Sequence, residues 1–164
     1  MAIFDLNKLV FGMRKELRGL LGEEIILDIS DLSVERCLVN ADRDQMRDVV
    51  FHLVLDALDA MPHGGSLNIV IENRRIDKAP MSTHLEPAED YVMVAVRDSS
   101  TEENAEIAEH GDFRVVKGRA LSLSAGYDAI KRCGGHLSVS RRAGETVVRI
   151  YLPRRASPQS FRRL

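Results

Sequence analysis

Residues 48–65, Asp-Val-Val-Phe-His-Leu-Val-Leu-Asp-Ala-Leu-Asp-Ala-Met-Pro-His-Gly-Gly, decide the reading of this chain. His52, Asp56, Asp59 and His63 recur at spacings of four, three and four, which places them on one face of a helix. The opposite face carries Met46, Val49, Val50, Leu53, Ala57, Ala60 and Met61, a set suited to a core. Asp42 caps the start of this helix, and Gln45 three residues later completes a capping-box pattern. Pro62 and the Gly64-Gly65 pair close it with a turn. The helix therefore buries one side and presents acids and imidazoles on the other. By itself such a stripe is either a solvated face or one wall of a cleft.

Working outward, residues 5 to about 20 form a leading helix, with Leu6, Leu9, Val10, Met13, Leu17, Leu20 and Leu21 at helical spacing and Gly22 as the stop. Ile25, Leu27 and Ile29 alternate with Ile26, Asp28 and Ser30 and form a strand. Residues 36–40 pair with it as a second short strand. Leu67, Ile69 and Ile71 mark another strand, residues 74–89 read as a loop containing Pro80 and Pro87, and residues 91–96 form an apolar strand that ends at Asp98. Residues 99–117 are polar, acidic and interrupted by Gly111, which predicts a mobile loop with one short helical turn. A helix over 120–131, stopped by Gly134-Gly135, precedes strands over 136–140 and 146–152. The expected fold class is α+β, a two-layer sandwich of one mixed sheet with helices on one face. One domain covers residues 1–153, and an Arg-rich, disordered tail covers 154–164.

At 164 residues the chain can bury a real core, and with 45% hydrophobic and 29% charged residues its composition is that of an ordinary globular domain. A formal net charge of -2 and an aromatic content of 5% without Trp argue against nucleic acid as a partner. No apolar run reaches membrane length, so no membrane insertion is expected. Cys37 and Cys133 match no metal or redox spacing and read as buried or semi-buried bystanders of a reduced, cytoplasmic chain. His52 and Asp56, four apart, have a metal-ligand spacing, and no third ligand is evident beside them.

The stretch Asp56-Ala57-Leu58-Asp59-Ala60-Met61-Pro62-His63-Gly64-Gly65 resembles the N box of the Bergerat-fold ATPases, especially the ATP-binding domain of sensor histidine kinases, where the pattern reads Asn-Leu-x-x-Asn-Ala-x-Asp-Ala-Met-Pro-x-Gly-Gly. The resemblance spans nearly the whole chain. Asp5-Leu6-Asn7 and Leu20-Leu21-Gly22-Glu23 are similar to the lead-in of many hybrid sensor kinases. Gly134-Gly135-His136-Leu137, Gly144 and Arg149-Ile150-Tyr151-Leu152-Pro153 are similar to the family's final hairpin. It implies a Bergerat sandwich that binds Mg-ATP, with inherited nucleotide positions at His52, Asp56, Asp59, Asp98, Gly118 and Arg119.

The departures fall on the chemistry. Both N-box asparagines are replaced, by His52 and by Asp56, and Asp56 takes the position that holds Mg²⁺ in the family. A carboxylate is a hard-oxygen ligand suited to Mg²⁺, but without the metal it opposes a triphosphate. The family's Asp-x-Gly-x-Gly, whose aspartate accepts from the adenine amino group, reads Asp98-Ser99-Ser100-Thr101-Glu102, so both glycines are lost. Gly-x-Gly-Leu-Gly-Leu reads Gly118-Arg119-Ala120-Leu121-Ser122-Leu123, with one glycine of three retained. Lys117 and Arg119 supply charge there, yet side chains do not replace a backbone phosphate cradle. The lid over 99–118 is shortened. None of His52, His63, His84, His110 or His136 stands in the His-Glu or His-Asp context of a phospho-acceptor, so no catalytic residue is assigned.

The expectation is a degenerate, pseudokinase-like domain of bacterial two-component phosphorelay signalling. It would act through a protein partner, a receiver domain or a kinase, with no cofactor if the cleft is dead. The alternative is a divergent domain that still binds Mg-ATP, with Asp56 on the metal, as part of a larger hybrid sensor kinase. A kinase-like anti-sigma module is a more distant third.

Overall fold

The computed structural model describes residues 1–76, 90–100, 107–110, 113–116, 120–142 and 144–157. Its elements are β1 (Ala2–Asp5), α1 (Leu6–Gly12), α2 (Arg14–Leu21), β2 (Ile25–Asp31), β3 (Leu38–Ala41), α3 (Arg43–Ala60) and β4 (Gly65–Arg75), then β5 (Asp90–Asp98), β6 (Ile107–His110), β7 (Phe113–Val116), α4 (Ala120–Arg132), β8 (His136–Arg142) and β9 (Glu145–Pro153).

Five strands make the central mixed sheet in the order β2-β4-β5-β9-β8. β2 runs parallel to β4, with Ile25 opposite Gly65, and every other pairing is antiparallel. Alternation sorts the side chains. Ile25, Leu27, Ile29, Leu67, Ile69, Ile71, Val92, Val94, Val96, Val148, Ile150 and Leu152 face the helical layer and belong to one continuous core. From the helical side Leu9, Val10, Met13, Leu17, Val50, Leu53, Val54 and Ile130 complete it. The sheet's other face has a smaller buried cluster, Met93, Ala95 and Val147, flanked by Val70 and Tyr151. This is the α+β sandwich with helices on one face that the sequence predicts.

Several elements differ from the sequence reading. The leading helix is two helices joined at Met13, whose torsions (φ -85°, ψ -7°) depart from the regular helix. Met13 and Leu17 are both buried, so the apolar period runs through the break and conceals it. Ahead of these helices β1 forms a strand and pairs with β3, Ala2 against Ala41. β3 therefore partners β1, and the expected pairing of residues 36–40 with the 25–29 strand does not occur: β2 satisfies its ladder with β4 instead. α3 ends at Ala60, with Met61 outside the helical region (φ -121°, ψ 62°), so His63 leaves the stripe and sits in the following turn. Within 99–117 the described residues 107–110 and 113–116 form a hairpin where a helical turn was expected. The tail begins in order: the Arg154 N–H donates to the Asp90 carbonyl, the Arg155 N–H to the Leu38 carbonyl, and the Arg154 guanidinium pairs with Glu35. Residues 158–164 and, within the expected 74–89 loop, residues 77–89 lie outside the described residues.

Candidate functional site

α3 carries the candidate site residues His52, Asp56 and Asp59, and its placement follows from its ends. The Asp42 carboxylate accepts from the Gln45 N–H at 3.0 Å, satisfying one of the free amides of the first turn. Met46, Val49, Val50, Leu53, Val54, Ala57 and Ala60 are buried beneath it. At its other end the Gly64 N–H returns to the Met61 carbonyl at 3.1 Å, and the Gly65 N–H reaches the Glu24 carbonyl at 3.2 Å. Both glycines are required. Gly64 has φ +87°, and a Cβ there would lie 2.5 Å from the Glu24 carbonyl oxygen. A Cβ on Gly65 would lie 2.5 Å from the Ser99 hydroxyl and 2.8 Å from the Met61 sulfur.

That crowding joins the helix end to the end of β5. Ser99 Oγ accepts from the Ser66 N–H at 2.9 Å and donates to Met61 Sδ at 3.7 Å, while the Ser99 N–H donates to the Ser66 carbonyl at 3.1 Å. Asp98 stands at the end of this central strand between Leu67 and Thr146 and is 3% exposed. Its Oδ1 accepts from the Ser100 N–H at 3.1 Å. Ser100 is equally buried, and its hydroxyl lies 3.3 Å from the buried Thr146 hydroxyl. No non-glycine residue among those described has a positive φ, so Ser100 sits at a glycine position of the resembling motif without backbone strain.

The polar face of α3 divides. Asp56 is half-buried, whereas Asp59 and His52 are exposed. The His52 ring turns back along its own helix, Nδ1–H donating to the Asp48 carbonyl at 2.8 Å. A carbonyl only accepts, so this bond leaves the lone pair of the neutral ring on Nε2. Among the described residues no group of three or more His, Cys, Asp or Glu side chains is placed to hold a metal ion, so the His52–Asp56 spacing gains no third ligand. Gly118, Arg119 and Lys117 lie outside the described residues. The Ser100–Thr146 and Met61–Ser99 contacts carry no sequence signal, since each joins segments far apart in the chain.

A family model for histidine kinase-, DNA gyrase B- and HSP90-like ATPases matches residues 41–156. The chain belongs to this ATPase family. The sensor kinase CckA of Brucella abortus (strain 2308) is 32% identical over 160 residues, which cover 93% of this chain and 17% of that protein. The chain thus spans about a sixth of the length of that relative. The nucleotide-free catalytic domain of the histidine kinase ThkA superposes with a TM-score of 0.65 at 21% identity, covering 93% of this chain and 96% of that one. ThkA in its complex with the response regulator TrrA superposes at 0.58 and 18% identity, covering 94% and 42% respectively. The domain is therefore a histidine kinase-like ATPase domain of the kind found in two-component sensor kinases.

Members of this family bind ATP, usually with Mg²⁺, and the residues here fit that pair in part. Asp98 is a buried acceptor at the end of the central strand, and Asp56 offers a hard oxygen donor on the helix beside it. The Asp98–Ser100 turn, by contrast, has side-chain atoms where the family motif has none, and its inner hydroxyl is engaged with Thr146.

Proposed function

We propose that this chain is a degenerate histidine kinase-like domain that serves a cytoplasmic two-component phosphorelay as a pseudokinase or partner-binding module, with impaired nucleotide binding. The observation that carries the reading is a well-seated α3 and β5 end around altered residues. α3 is capped, seated and sealed by its two glycines, yet His52 and Asp56 replace the asparagines and Ser100 is committed to Thr146. Asp56 puts a carboxylate where the family has a neutral asparagine, and beside an anionic triphosphate like charges repel unless a metal lies between them. The inherited positions Gly118 and Arg119 belong to the same proposed cleft. Partners of receiver-domain or kinase type fit this reading, and the ThkA–TrrA complex supports the class.

A second reading has Asp56 holding Mg²⁺ and Asp98 accepting from adenine, in a divergent domain of a hybrid sensor kinase. The buried, N–H-oriented carboxylate of Asp98 favours it. The thermal midpoint in rising ATP, with and without Mg²⁺, separates the two. A ligand that binds only the folded state raises the midpoint by mass action. The proposal expects no shift at millimolar ATP; a Mg²⁺-dependent rise that Asp56→Ala abolishes supports the second reading.

A further inference from the structure

The sheet face away from the helices carries a pocket of about 380 Å³, lined by Arg97, Ser140, Arg142, Glu145, Val147 and Arg149. Register explains how these residues meet. Val147 on β9 lies directly between Arg97 on β5 and Ser140 on β8. Arg149 and Glu145 are its same-face neighbours along β9, and Arg142 faces Glu145 across the β8–β9 pair. Val147 is only 5% exposed, so the surrounding side chains cover it and form the walls of a cup with an apolar floor.

The charges in this ring do not balance. Glu145 pairs with Arg97 at 2.5 Å. Arg149 Nη1 donates to the Ser140 hydroxyl at 2.8 Å, a neutral partner that fixes the guanidinium without cancelling its charge. The Arg142 side chain makes no hydrogen bond or ion pair among the described residues and is exposed. Three guanidiniums thus meet one carboxylate on adjacent strands, where like charges oppose each other. An anion is the group that relieves this. Planar guanidinium forks match the oxygens of a phosphate in pairs, and a pocket of this size takes a small molecule.

We propose that this face is a second ligand site, independent of the nucleotide cleft, which takes the phosphate groups of a small phosphorylated molecule through Arg142 and Arg149. Ser140 pre-positions Arg149, and Glu145 holds Arg97 against the rim. The cleft residues of α3 border the opposite, helical side of the sheet, so the two sites can be filled separately.

Pyrophosphate, titrated into the 164-residue chain at constant ionic strength and followed by backbone amide shifts, tests this. Saturable shifts are expected on β8 and β9 around Ser140, Val147 and Arg149, with residues 52–65 unmoved. Arg142→Gln with Arg149→Gln should weaken binding about tenfold or more, Arg149→Lys less so because charge remains without the fork, and Arg74→Gln, at an arginine outside the pocket that pairs with Glu72, not at all. Ser140→Ala, which leaves every charge in place, should weaken binding by loosening Arg149. The proposal is overturned by three results: no saturation at about 10 mM pyrophosphate, affinity indifferent to the arginine substitutions in variants whose thermal midpoints match the parent, or shifts confined to the α3 side.

Discussion

Gly64 and Gly65 are the residues on which the site's geometry depends most. Gly64→Ala would force a side chain into φ +87° and against the Glu24 carbonyl, which is backbone and does not move aside. The expected loss is about 1–3 kcal/mol of unfolding free energy, read from the denaturant midpoint. Ser100→Ala should cost about 1 kcal/mol by stranding the Thr146 hydroxyl in the interior, and Thr146→Ala should cost a similar amount from the other side. Asp31 gives a pH-dependent case. Burial pushes its carboxyl up, but the Ser33 hydroxyl and N–H and the Asn7 amide, all donating to it, outweigh that and hold it below its ordinary 3.8. A depressed native pKa favours the ionised form in the fold. Its stabilising contribution is complete above pH 3.8 and fades as pH falls through the folded-state value. The stability difference between the parent and Asp31→Asn should therefore shrink between about pH 5 and about pH 3. At this scale the sequence was legible wherever a motif is contiguous: the Asp42 cap, the glycine pair of the turn and the strand end at Asp98 were all found by inspection. The Ser100–Thr146 bond was not, because its partners are 46 residues apart and neither residue type announces a distant contact.

Among the elements, α3 was read almost whole because 18 residues carry both a cap signal and an unbroken apolar period. The error lay at its C-terminus, where Met61 leaves the helix before Pro62 and takes His63 off the stripe. The four-residue β1 and β3 were misread for the opposite reason. Each is too short to show a period, and the choice between β1 and β2 as the partner of β3 is tertiary. α3 should answer substitution accordingly. Leu53→Ala, 4% exposed in the core, should lower stability by about 2–5 kcal/mol. Asp42→Ala, which removes one cap bond, should lower it by only about 1 kcal/mol. Thermal and denaturant midpoints measured side by side would establish that order.

For the whole molecule, the sandwich and its family could be recognised from motifs in sequence order, while the strand order and the arginine cup on the open face could not. The cup draws on β5, β8 and β9, whose adjacency is a property of the folded sheet. The central proposal also belongs to this scale: a histidine kinase-like ATPase domain in which the nucleotide-binding chemistry has been exchanged. Calorimetric titration of Mg-ATP into the parent chain and into a variant carrying His52→Asn, Asp56→Asn, Ser100→Gly and Glu102→Gly tests it most directly. The account predicts no saturable heat from the parent at millimolar Mg-ATP and saturable binding once the family residues are restored. Saturable binding by the parent itself, lost in Asp98→Ala, would contradict it and mark Asp56 and Asp98 as working ligands.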